Sequence, residues 1–137
     1  MAVTASPVFV QTPKVTQITI LPADTTAQKV VCTAGANGSK VVGLIATSDD
    51  TATMNVQILI KRSATSILLG TGRIVTLSGT NGAAANVNLL NAITGLPIDN
   101  DGQPYLYLVS GDTLECAVLV TVTAAKTISL TCIHGDF

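Results

Sequence analysis

Apolar residues in this chain come in short, β-branched runs, and Gly, Asn, Asp or Pro cuts each run off after a few residues. Such runs suit a pleated, half-buried surface, and the interruptions supply turn chemistry. No stretch has the apolar spacing of a long amphipathic helix. Residues 15–21 alternate Val15, Gln17, Thr19, Leu21 against Thr16, Ile18, Ile20, and Lys29–Thr33 and residues 40–48 give two more strands. Residues 53–62 alternate most clearly, with Met54, Val56, Ile58 and Ile60 on one face. Residues 62–66 read as a hairpin loop. Residues 67–69 and 73–77 flank Gly70-Thr71-Gly72, where paired glycines predict a bulge or sharp bend. A polar loop follows over 78–85. Residues 86–93 form the single helix candidate, with Val87, Leu89, Leu90 and Ile93 on one side and Gly95 and Pro97 as stops. Strands over 105–109, 113–122 and 126–134 complete the chain.

Strands at this spacing, joined by short turns, predict an all-β antiparallel sandwich rather than βαβ units. Eight or nine strands with one short helix favour a jelly-roll-like arrangement, with an immunoglobulin-like one second. Residues 1–14, with Pro7 and Pro13 around Val8-Phe9-Val10, read as an extended arm, and 15–137 as the sandwich domain. At 137 residues the chain is one domain's worth. There is no basic-then-apolar secretory leader at the N-terminus and no apolar run long enough for a membrane span, so no membrane is expected as a partner.

Charge narrows function further. Apolar residues make up 47%, but charged residues only 11%, against about 25% in ordinary domains, and the net charge is −1. That balance argues against disorder and against nucleic-acid binding through phosphate neutralisation. Sheet edges are ordinarily protected by charge. A sandwich this short of ions is expected to cover its edges and faces with other subunits.

Little in the sequence supports an enzyme or a cofactor. His134, the only histidine, lies two residues from Cys132, on the same face of a strand. A Cys-x-His pair can open a zinc site, with Cys116 as a conceivable third ligand, but structural zinc wants four ligands at other spacings. We read no metal site there, and a partly exposed, near-terminal His. Cys32, Cys116 and Cys132 read as buried free thiols, the alternative being a Cys116–Cys132 bridge between neighbouring strands. No nucleophile elbow is present, and no small-molecule substrate is expected. Asp99-Asn100-Asp101-Gly102 starts like a calcium loop but lacks the closing Glu, so it reads as a turn. Asp49-Asp50 reads as a solvated turn. Tyr105 and Tyr107 share a strand face, as an interface anchor, a sugar platform or core filling. Phe9 and Phe137 sit near the two chain ends.

Several segments resemble small virion proteins of tailed bacteriophages. They are Thr4-Ala5-Ser6-Pro7-Val8-Phe9-Val10-Gln11-Thr12-Pro13-Lys14, Gly35-Ala36-Asn37-Gly38-Ser39-Lys40, Asn88-Leu89-Leu90 followed by Gly95-Leu96-Pro97-Ile98-Asp99, Tyr105-Leu106-Tyr107-Leu108 before Ser110-Gly111-Asp112, and the ending Gly135-Asp136-Phe137. Together they are similar to capsid decoration, or cement, proteins. The resemblance implies a β-sandwich subunit made in the host bacterial cytoplasm and carried on the virion's capsid surface. It would bind the major capsid protein and copies of itself, as a dimer or trimer, without turnover. The expected anchors are Val8, Phe9, Val10, Tyr105, Tyr107 and Phe137. A tail, connector or fibre-associated role and a glycan-binding module are the alternatives.

Overall fold

The computed structural model describes residues 10–137, so Val8 and Phe9 lie outside the described residues. Nine strands form two antiparallel sheets: β1 (Thr12–Ile20), β2 (Lys29–Thr33), β3 (Ser39–Ser48), β4 (Met54–Arg62), β5 (Thr65–Ile74), β6 (Val87–Asn88), β7 (Leu106–Leu108), β8 (Asp112–Val118) and β9 (Ile128–Asp136). One sheet runs β1-β9-β3-β6, with β7 also on β3, and the other β2-β8-β4-β5.

The pairing shows how the chain is wound. β1 pairs with β9, β2 with β8, β3 with β6 and β7, and β4 with β5: five nested pairings, as in one long hairpin. Rolling that hairpin up brings β9 against β3 and β8 against β4. This is a jelly roll, the first of the two sandwiches the sequence predicts. Alternation puts Val41, Leu44, Ala46, Leu130 and Cys132 of the first sheet against Val56, Ile58, Leu114 and Cys116 of the second.

Local chemistry explains where the elements depart from the sequence reading. β1 opens at Thr12 and so takes in Pro13, which an edge strand tolerates because its missing N–H need face no partner. The segment around Gly70-Thr71-Gly72 is one continuous strand, β5, bulged opposite Ile58 and Leu59. Residues 86–93 are not a regular helix. Val87–Asn88 bridges to β3, and Leu89–Ala92 makes a single 3-10 turn. Asn88 Oδ1 accepts from Leu90 N and Leu44 N, which caps the turn and ties it to β3. Leu89 and Leu90 are fully buried. The turn is seated on β5 at Gly72, where a Cβ would collide with the Leu89 side chain.

Two carboxylates are buried, and one of them differs from expectation. Asp50 is not a solvated turn residue but is buried, accepting from Ala52 N, Thr123 N and Thr123 Oγ1. Burial disfavours its charge, yet these hydrogen bonds outweigh that and hold its carboxyl below the ordinary 3.8. Asp112, also buried, is forked by Arg62 Nε at 2.7 Å and Nη2 at 2.8 Å, and that contact chiefly lowers its pKa. No helix among the described residues is long and apolar enough to cross a membrane.

Candidate interaction surface

The outward rows of the β1-β9-β3 sheet follow from its register. They are Pro13/Gly135/Lys40/Tyr107, Val15/Ile133/Gly43, Gln17/Thr131/Ile45 and Thr19/Ser129/Thr47. Lys40 is the only charged residue in these rows. Val42 joins them at the β3 bulge, where the register shifts between Val41 and Gly43. Val15 is 62% exposed, Tyr107 53%, and Ile133 and Val42 41% each. The result is an open, nearly ion-free sheet face with aliphatic side chains at its centre and hydroxyls and an amide at one end.

Aromatic side chains gather at the other end. Tyr105 and Tyr107 meet edge to face with centroids 5.2 Å apart, and Phe137 packs on Tyr107 at 6.0 Å. The Lys40 ammonium sits 4.3 Å above the Tyr105 ring, so the face's one cation is engaged within the molecule. Burial is the main reason the Tyr105 hydroxyl titrates above its usual value. Phe137 is held in place by its N–H donating to Gly38 O. Val10 lies over Gly135, where a Cβ would strike the Val10 side chain and come within 3.2 Å of Thr12 O. Gly135 pairs with Lys40, and Lys40 with Tyr107. Of the residues expected as anchors, Tyr105, Tyr107 and Phe137 meet directly, and Val10 lies over Gly135 in the same outward row as Tyr107. Neither tyrosine is core filling: Tyr107 is exposed and Tyr105 half-buried.

Sequence reasoning missed Val15, Val42 and Ile133. The alternation marked Val15 as strand, but only pairing to β9 shows that it stands beside Ile133 on the outer side. Asp99 Oδ1 is used within its own turn, accepting from Asp101 N and Gln103 N, as the turn reading of this loop expects. His134 is buried, not partly exposed. Cys116 and Cys132 are on different sheets rather than neighbouring strands, and all three cysteines are free.

No protein-family model and no curated protein matches the chain. Among solved structures it is similar to one described as the acidic stable capsid structure of Helicobacter pylori bacteriophage KHP30. The TM-score is 0.48 and identity 9%, over 93% of this chain and 90% of that one. It is also similar to the cyanophage Pam1 capsid asymmetric unit, with TM-score 0.43 and 17% identity over 96% and 93% of the two chains. A pentameric capsid protein from metagenomic phage sequences gives TM-score 0.39 and 20% identity, over 88% of this chain and 59% of that one.

Proposed function

We propose that this chain is a structural subunit of a virion, decorating the outside of a tailed-phage head. It docks through the outer face of the β1-β9-β3 sheet, with Val10, Tyr105, Tyr107 and Phe137 as anchors. Its partners are the major capsid protein and copies of itself, as a dimer or trimer. Val8 and Phe9, outside the described residues, are included as anchors on the sequence alone. The observation that carries this reading is the almost ion-free outward face ending in an aromatic cluster. Interface cores are depleted in charge and enriched in aromatics. Docking such a face strips water from few ions, so little of the gain is lost to desolvation. A jelly roll alone would not suffice, since the fold hosts many functions, capsid subunits and lectins among them.

No bond is made or broken in this role. A subunit that binds only the assembled shell stabilises it by mass action. The glycan-binding reading, which would use Tyr105, Tyr107 and the Asp99–Asp101 loop, is weaker, because Asp99 Oδ1 is already engaged within its own turn. The test is to mix the purified protein with phage heads lacking it and locate it by electron microscopy. Stoichiometric density on the outer shell is expected. Density confined to the tail, connector or fibres supports the alternative placement, and a monomer that ignores heads defeats the proposal.

A further inference from the structure

Three potential metal ligands from two sheets meet in the interior. Cys32 comes from β2, and Cys132 and His134 from β9, where their spacing of two points both side chains inward. Their ligand atoms all lie within 4.8 Å of one another, and all three residues are buried. In tetrahedral zinc, Zn–S of about 2.3 Å and Zn–N of about 2.0 Å set ligand atoms roughly 3.5–3.8 Å apart. The observed cluster needs to contract by no more than about 1.3 Å to reach that geometry.

The buried His134 ring lacks a close partner at either nitrogen. His134 Nδ1 is buried and makes no hydrogen bond, although a buried ring nitrogen ordinarily has a partner. On the ring's other side, Nε2 lies 3.4 Å from Thr16 Oγ1 of β1, a long contact. Thr16 Oγ1 donates to Val31 O at 2.8 Å, so its own lone pairs remain free. The Cys32 and Cys132 sulfurs come from opposite sheets and lie within 4.8 Å of each other. Cys116, in contrast, is enclosed in the core, and burial pushes its thiol up to about 12.

We propose that Cys32, Cys132 and His134 form a binding site for zinc or a similar thiophilic divalent cation, pinning β2 of one sheet to β9 of the other. Two thiolates and a neutral imidazole suit a soft or borderline ion rather than calcium or magnesium. A water takes the fourth position. Binding releases the two thiol protons to solvent, and no redox step is involved. This inference is independent of the docking role.

The test is titration of the full, reduced chain with cobalt(II), followed by displacement with zinc(II). One equivalent is expected to bind, with a thiolate-to-cobalt charge-transfer band that zinc abolishes, and zinc should raise the melting temperature. Cys32→Ser and Cys132→Ser should bind roughly 100-fold more weakly, and Cys116→Ala as wild type. If the serine variants fail to fold, X-ray absorption on the zinc-loaded wild-type protein decides: two sulfurs and one imidazole support the site, and any other sulfur count overturns it. Absence of cobalt uptake overturns it too, as does a Cys32–Cys132 disulfide in protein alkylated at lysis.

Discussion

The outer faces of the two sheets are built from the same alternating strands yet have different surfaces. On the β2-β8-β4-β5 side, the outward rows include Lys61, Arg73 and Glu115 beside Gln57 and Thr71. Glu115 stands in a row with Leu59, Leu68 and Val30, and its Oε2 is buried without a hydrogen bond. On the β1-β9-β3 side the outward rows hold Lys40 alone, and that cation rests on Tyr105. Several of the chain's other ions are used internally: Lys14 with Asp136, Lys29 with Asp24, Arg62 with Asp112, and Asp50 in its loop. The difference teaches that a scarcity of charge is not spread evenly. It is concentrated on one face, which can therefore meet a partner at low desolvation cost.

The hardest blow to that contrast is a charge at the centre of the bare face. Ile133→Asp should weaken head binding by more than about 100-fold, roughly 3 kcal/mol. Thr71→Asp on the other sheet should leave binding unchanged in the same co-sedimentation assay. Next comes the claim that charges elsewhere are structural. Asp50→Ala leaves the Thr123 and Ala52 N–H groups without their acceptor, and chemical denaturation should show a loss of about 2–3 kcal/mol with head affinity intact once folded.

Tyr107→Ala removes the exposed ring of the aromatic end and should cost about 2 kcal/mol of docking, near thirtyfold, without lowering stability comparably. Acid should act on the ionic side of the contrast. Asp50 and Asp112 have folded pKa values below the ordinary 3.8, so their stabilisation is fully present above it and is lost as pH falls through the lowered values. In urea unfolding, the stability contributed by these two carboxylates should be level from neutrality to about pH 5 and then drop, by at most about 1.4 kcal/mol per pH unit for each proton taken up. Lys61→Ala, on the hydrated face, should change stability by less than about 0.5 kcal/mol and binding not at all.

The fold was legible because alternation is a local property. Met54, Val56 and Ile58 are buried as their spacing predicts, and the glycines at 70 and 72 mark a bulged strand. The helix candidate is realised only as a one-turn 3-10 segment, Leu89–Ala92, with Leu89 and Ile93 packed against β5 at Gly72 and Gly70. Asp50 was misread since turn composition looks the same whether the carboxylate faces water or three donors. The aromatic end was half legible. Tyr105 and Tyr107 could be named from the strand they border, and Phe137 from its place at the chain end, but their meeting with one another and with Lys40 could not.

By itself, then, the sequence determined the strand content, the alternation and the shortage of ions, all of which are set by neighbours a few residues apart. The tertiary structure alone decided which bare residues share a face and which buried thiol approaches His134. The cysteine opposite it is Cys32, not Cys116, because rolling the hairpin sets β2 of one sheet facing β9 of the other. Such partners are separated by most of the chain, and no local preference encodes their meeting.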